Sequence, residues 1–509
     1  MANWSDLRDK KIHHQIFEEL ALLVYKGNAE GPESFVNYVT VNKEWREYFE
    51  KLTFKTITLD NERARQFRIV FFQERNRIRS LQHLQLNVAL RTSSLGDGAN
   101  QSYRKDVVFM HVIMDLFDVL SQWRQTDNDG IVLEIHVTCD GDKAALDSFR
   151  KKKRDAVATW GWIDQLQDGQ AKQAMIDANI DDIDKDVKQL LSPITDPGHF
   201  GNNPPQSIIP IGANTQYGIL REVSVIKTLA ILRHTTHTIG PDLLKLIFEF
   251  SLTHVEQILH EKWRAITFQD KEWWGVSYAG CAPSLPARLR GLSMFDEVHG
   301  ELHMRKCWYT KDKLLGRSIA VATQHLRNMS LCFVVDSEDF FHIPQSTDPA
   351  QRQPLYFPSL RSLVLTNSTI RPNAQLQKLQ DALSSYAVKI IHGMPMLRIY
   401  EIWNAGSGFG GVFQYKFDGQ HAATIVHKTS WKPCGMSSAF NTWRIVLQAL
   451  QPPRIVETFM EQVPRPHHYL DFLPELEMAA NIMSGVSRIN ARDEAEVRKL
   501  PVPYYKKET

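Results

Sequence analysis

The chain has 509 residues, 43% of them hydrophobic and 23% charged, enough to bury a large core and to form more than one domain. Lysine and arginine total 60 against 58 for aspartate and glutamate, and a net charge of +2 leaves no broad electrostatic footprint for nucleic acid. No apolar run approaches a bilayer span, the opening MANWSDLRDKKIHH holds no apolar signal core, and the five cysteines are scattered and odd in number; the expectation is no membrane, no disulfide framework and a reducing cytoplasmic or nuclear compartment.

The first element along the chain reads as a helix. Ile12, Ile16, Phe17 and Leu20 stand at i, i+4, i+5 and i+8 and share one side of it. Residues 34–59, SFVNYVTVNKEWREYFEKLTFKTITL, add a second apolar helical face, a tryptophan at Trp45 and a strand-like exit. Two short helices cannot bury a core alone; they need each other, the body of the chain or a partner helix. The segment is therefore expected to dock rather than to catalyse. A helical pair that only caps the body would carry the same apolar pattern.

The pattern I-x-x-x-I-F-x-x-L followed by V-x-K-x-W resembles an F-box. Leu7 takes the place of the opening leucine, Ile12, Ile16, Phe17 and Leu20 match the first helix, and Val41, Lys43 and Trp45 match the later segment. The chain departs from the family in having no proline after Leu7, in carrying Asn42 where the family has cysteine, and in the length of the 25–34 stretch. The resemblance implies that these residues contact the Skp-type adaptor of a cullin ubiquitin ligase or hold the helices that do.

Behind this module an apolar-x-x-apolar-x-apolar segment recurs: Leu81/Leu84/Leu86, Val132/Ile135/Val137, Ile226/Leu229/Ile231, Val255/Ile258/His260, Leu289/Leu292/Met294, Leu326/Met329/Leu331, Leu360/Leu363/Leu365 and Leu397/Tyr400/Ile402. From Val255 onward the starts are 34, 37, 34 and 37 residues apart, the spacing of a stacked repeat. Helices are expected between them: one opened by Pro241, one over 311–327, and one from Leu376 that stops at Gly393. Strand, helix, strand at this spacing gives parallel strands joined by crossovers. The expected fold is α/β: a small N-terminal helical F-box followed by an irregular leucine-rich-repeat-like solenoid, with oversized repeats. An α/β domain with a chance leucine pattern is the alternative. The divisions are 1–59 for the module, 60–139 for the first repeat-like units, 140–218 for a charged insertion and long loop, and 219–509 for the main domain with its cap.

Several motifs invite chemical readings. Gly406, Gly408 and Gly411 spell G-x-G-x-x-G, but Val412 to Phe417 alternates like a strand, so a hairpin is expected rather than a dinucleotide site. His299, His303 and Cys307 have one-face helical spacing and lack a fourth zinc ligand. Asp336, Glu338, Asp339 and His342 are the best candidates for a catalytic cluster, against a plain turn or helix cap. Lys151, Lys152, Lys153 and Arg154 fit either a nuclear-import signal or the face of a solvated helix. G-x-S-x-G, H-E-x-x-H and P-loop motifs are missing from the sequence, so no cofactor, metal or catalytic residue is assigned.

RLRGLSMFDE (288–297), RNMSLCFVVDSEDFF (327–341) and MPMLRIYEIWN (394–404) are similar to a group of filamentous-fungal F-box-like proteins. The group implies an F-box first and a repeat-like body second. The expected protein is a non-catalytic adaptor that joins a Skp-type subunit and its cullin complex to a protein substrate. A repeat scaffold outside any ligase, or a hydrolase or transferase acting near 336–342, is the competing expectation.

Overall fold

The structure is a computed structural model, and it describes residues 15–21, 38, 40–72, 75–90, 98–124, 128–140, 220–233, 237, 239–263, 268–297, 312–342, 354–372, 376–406, 408–432, 436–489 and 492. A helix over 15–21 (α1) is followed by α2, Lys43–Thr53. The chain then enters the sheet directly. Thr56–Leu59 (β1), which the sequence grouped with the N-terminal module, is the first strand of the body.

Among the described residues twelve strands form one sheet whose spatial order is the order of the chain. They are β1, β2 (His83–Leu90), β3 (Ile131–Cys139), β4 (Ile226–Ile231), β5 (Gln257–Trp263), β6 (Gly291–Glu297), β7 (Asn328–Asp336), β8 (Ser362–Thr366), β9 (Ile399–Gly406), β10 (Phe409–Phe417), β11 (Ala422–Thr429) and β12 (Ile455–Gln462). Neighbours are parallel except at β10, which is antiparallel to both β9 and β11. The expected insertion, 140–218, lies almost wholly outside the described residues, but its flanks are adjacent: β3 pairs directly with β4.

The register explains the recurring leucine pattern. One row of partners runs Ile57, Leu84, Leu133, Leu229, Ile258, Leu292, Met329, Leu363, Tyr400, Tyr415 and Ile425. A second row, two residues on, runs Leu59, Leu86, Ile135, Ile231, His260, Met294, Leu331, Leu365, Ile402, Phe413 and His427. Side chains two apart share a face, so the last two apolar sites of each segment stack across the sheet. The first apolar site (Leu81, Leu289, Leu326, Leu360, Leu397) is buried just before its strand. In β3 the equivalent triplet is Gly130/Leu133/Ile135, not Val132/Ile135/Val137; glycine in the first place hid the true register.

The helices supply the other half of this core. The chain continues with α3 (Asn61–Phe72), α4 (Arg75–Ser80), α5 (Gly98–Leu120), α6 (Pro241–Phe250), α7 (Phe268–Cys281), α8 (Lys313–Ala322), α9 (Ser337–Phe340), α10 (Leu376–Gly393) and α11 (Ser437–Gln448). Buried side chains from α3, α5, α6, α8, α10 and α11 join the two strand rows in one continuous apolar cluster. Each fully buried Leu, Ile or Phe in it contributes about 1.5–3 kcal/mol. The helix expected over 311–327 starts at Lys313 because Asp312 accepts the Leu315 N–H at 2.9 Å and caps it. Proline opens α6, and α10 ends at Gly393, as expected. Cys139, Cys281 and Cys332 are buried, and none of the three is in a disulfide among the described residues.

Candidate functional site

The N-terminal helices carry a small core of their own. Phe17, Ala21 and Phe49 are buried, and Leu20, Tyr38, Trp45, Tyr48 and Leu52 pack around them apart from the main cluster. The Phe17 ring meets Trp45 edge-on at 5.3 Å and lies 4.7 Å from Tyr48. Asn42 has a local job here: its side chain accepts the Trp45 N–H at 3.0 Å and caps α2. The Arg77 guanidinium, 3.1 Å from Glu50 and 4.8 Å above Phe54, ties this module to the body.

Of the residues matched to the F-box, Phe17 is only 3% exposed and is spent on the module's own packing. Ile16, Leu20 and Trp45 are half-buried, while Val41 and Lys43 are exposed. Leu7 and Ile12 lie outside the described residues, as do Lys151, Lys152, Lys153 and Arg154 and the His299, His303 and Cys307 set.

Two carboxylates of the acidic cluster after β7 hold backbone in place. Asp336 is fully buried and accepts the N–H groups of Glu338 at 2.9 Å and Ser368 at 3.0 Å. Asp339, also buried, accepts the Asp312 N–H at 2.8 Å. These bonds hold caps and turns. The glycine motif forms the β9–β10 hairpin: Gly408 takes φ +81, the left-handed region that favours glycine.

The sheet face turned away from the helices holds what the sequence reading did not find. After β12 the chain crosses back over the sheet as a strap, through α12 (Tyr469–Phe472) and α13 (Ala479–Ile482). Its Tyr469, Leu470, Phe472, Leu473, Leu476, Ile482 and Met483 form a second apolar core with Phe295, Cys332, Val364, Trp403, Ala405 and Val412. Trp403 is fully buried here, with its Nε1–H directed at Cys332 Sγ at 3.3 Å.

Buried polar groups on the strands hold the strap's backbone. The Glu401 carboxylate accepts the N–H groups of Glu477 at 2.9 Å and Met478 at 3.1 Å. Gln414 donates to the Glu475 carbonyl at 3.0 Å, and Ser293 to the Asn481 carbonyl at 2.6 Å. Farther along, Glu261 accepts the Ser484 N–H at 2.7 Å. Burial pushes the carboxyls of Glu261 and Glu401 up, and these N–H bonds pull the other way. The anchors run from β10 back to β5, so over these strands the face is filled by the chain itself. A carboxylate in a strand looks the same in sequence whether it faces solvent or a backbone, so only the apolar run YLDFLPELEM could have signalled the strap.

At the other end of this face, Glu134 lies 2.8 Å from His83 Nε2 and receives a hydrogen bond from His136. Burial alone would raise its pKa, but hydrogen bonds and charge from the two imidazoles outweigh this and hold it at about 2. The arrangement is a paired carboxylate. Among the described residues no group of three or more His, Cys, Asp or Glu is placed to hold a metal ion, and no helix is long and apolar enough to cross a membrane.

Residues 284–484 match the model of a family of unknown function, DUF6546. The match runs from just before β6 through the strap and ends where Ser484 meets Glu261. A search of curated proteins finds no match.

Proposed function

We propose that the chain is a non-catalytic adaptor of the F-box type, working in the cytoplasm or nucleus, whose N-terminal helices recruit a Skp-type subunit of a cullin ligase and whose leucine-rich-repeat-like body holds a protein substrate. One observation supports this above the others: α1 and α2 share an aromatic core separate from the main one, with Ile16, Leu20 and Trp45 half-buried and Val41 55% exposed. A module that packs itself and still presents apolar side chains is suited to accept another helix. The sequence-ordered parallel sheet with helices against one face supports the repeat-like body. Catalysis in the ligase would rest on proximity, with the adaptor making and breaking no bonds. The strap fills the sheet face over β5 to β10, so substrate is held by loops and edges instead.

Phe17 is a poor probe of the adaptor contact because its loss would collapse the module. Ile16→Asp and Val41→Asp reach the surface and spare the aromatic core. In titration calorimetry against a purified fungal Skp-type adaptor, the double variant is expected to bind at least ~10-fold more weakly than wild type, the cost of placing two charges against an apolar partner. Equal affinities, with both chains folded, would defeat the reading and leave a repeat scaffold without ligase membership.

A further inference from the structure

We propose that β12 is a docking edge for an extended basic segment of a partner protein, which adds to the sheet as a thirteenth strand. This inference stands independently of the adaptor reading. β12 is the last strand of the sheet, and among the described residues no strand pairs with its outer side. The Ile455 N–H bonds to the His421 carbonyl and the Val463 N–H to the Thr429 carbonyl, each at 2.9 Å. In a strand the N–H and C=O of one residue point to the same side, and the sides alternate. The odd positions therefore serve β11, while Val456, Thr458, Met460 and Gln462 turn their N–H and C=O groups outward.

Natural edges are usually blunted by lysine, proline or a bulge. IVETFMEQ has no lysine and no proline, and it pairs with β11 in unbroken register over its whole length. Ile455 is 68% exposed, Phe459 45% and Met460 50%. An even edge with exposed apolar side chains, and no strand on its outer side among the described residues, is a template for strand addition.

Charge identifies the occupant. Ile455, Glu457, Phe459 and Glu461 share one face by the two-residue period, so the edge alternates apolar and acidic. Lys428 approaches Glu461 only to 3.9 Å, and it also pairs with Glu475. A second copy fits badly: antiparallel self-pairing centred on Phe459 sets Glu457 opposite Glu461, and like charges directly opposite destabilise a strand pair. A strand with basic residues four apart and an apolar residue midway places opposite charge against both glutamates and a hydrophobic partner against Phe459.

The test uses the full chain and a short fluorescein-labelled peptide, lysine–threonine–phenylalanine–valine–lysine between glycines, with a second peptide carrying glutamates for the lysines. Fluorescence anisotropy is expected to show saturable binding of the lysine peptide and at least ~10-fold weaker binding of the glutamate peptide. Thr458→Pro removes one outward N–H and leaves the β11 ladder whole, so it should weaken the lysine peptide about 10-fold. Glu457→Lys with Glu461→Lys should reverse the peptide preference, and this arm decides the matter if the proline variant melts early. Absence of saturable binding, equal affinity for both peptides, or a preference unmoved by charge reversal would overturn the proposal. So would a dimer in sedimentation velocity that Thr458→Pro abolishes, since the edge would then belong to a second copy.

Discussion

Replacing Phe472 with alanine is expected to lower the unfolding free energy by about 3–5 kcal/mol, the range for removing a buried phenylalanine and leaving its cavity. The ring is 1% exposed and sits in the strap's core with Trp403 and Val412. It lies over Gly410 so closely that a Cβ there would be 2.2 Å from Cδ2, so the strand has no side chain of its own to refill the space. The neighbours Tyr469, Leu470 and Leu473 are fixed by α12 and by the His468–Asp471 capping box at its start, which limits collapse into the void. Ile489→Ala, at a site 61% exposed, should change stability by less than ~0.5 kcal/mol. Urea unfolding of the two variants decides between them. Similar small losses would mean that the strap is a loosely attached tail and that the sheet face beneath it opens readily.

The second large effect depends on pH. His427 is 3% exposed in the inner row between Phe413 and Met460, and among the described residues neither ring nitrogen has a hydrogen-bond partner. Burial pushes its pKa down from 6.5 to about 4. Between those values the unfolded chain binds a proton that the folded chain refuses, so stability rises with pH across this window. The buried neutral imidazole is therefore expected to cost the fold about 3 kcal/mol at pH 4 relative to pH 7. His427→Leu removes that contribution and should flatten this part of the pH dependence while preserving the apolar row. Denaturation of wild type and variant at pH 4.5 and 7 reads the difference directly; parallel profiles would contradict a neutral buried His427.

The strands were legible wherever packing against the helices demanded two apolar side chains two residues apart. Leu363 and Leu365 on β8 and Met329 and Leu331 on β7 stack in the register that their spacing implies. The pattern failed at β3, where Gly130 holds the place of the first apolar residue. The β9–β10 hairpin was legible from the glycines and the alternation that follows. β11 and β12 were not, because the hairpin breaks the repeat spacing and β12 is polar or exposed along most of its length.

At the candidate sites the residue types were visible but their surroundings were not. Asp336 and Glu401 are both strand-borne carboxylates. One caps a turn and the other clamps a strap more than seventy residues away in sequence, a difference set by long-range packing alone. The strap has no helical or strand period over its whole length; its apolar residues sit in two single-turn helices and irregular chain. Phe17 and Trp45 pack against each other, but only the three-dimensional arrangement separates the inward Phe17 from the outward Val41.

The adaptor reading is tested most directly by hydrogen–deuterium exchange of the full chain, alone and mixed with a purified Skp-type adaptor. A complex is expected in which new protection gathers on α1 and α2, over 15–21 and Lys43–Thr53, while the sheet and the strap exchange as before. Failure to form a complex, or protection confined to the sheet with the N-terminal helices unchanged, would contradict it.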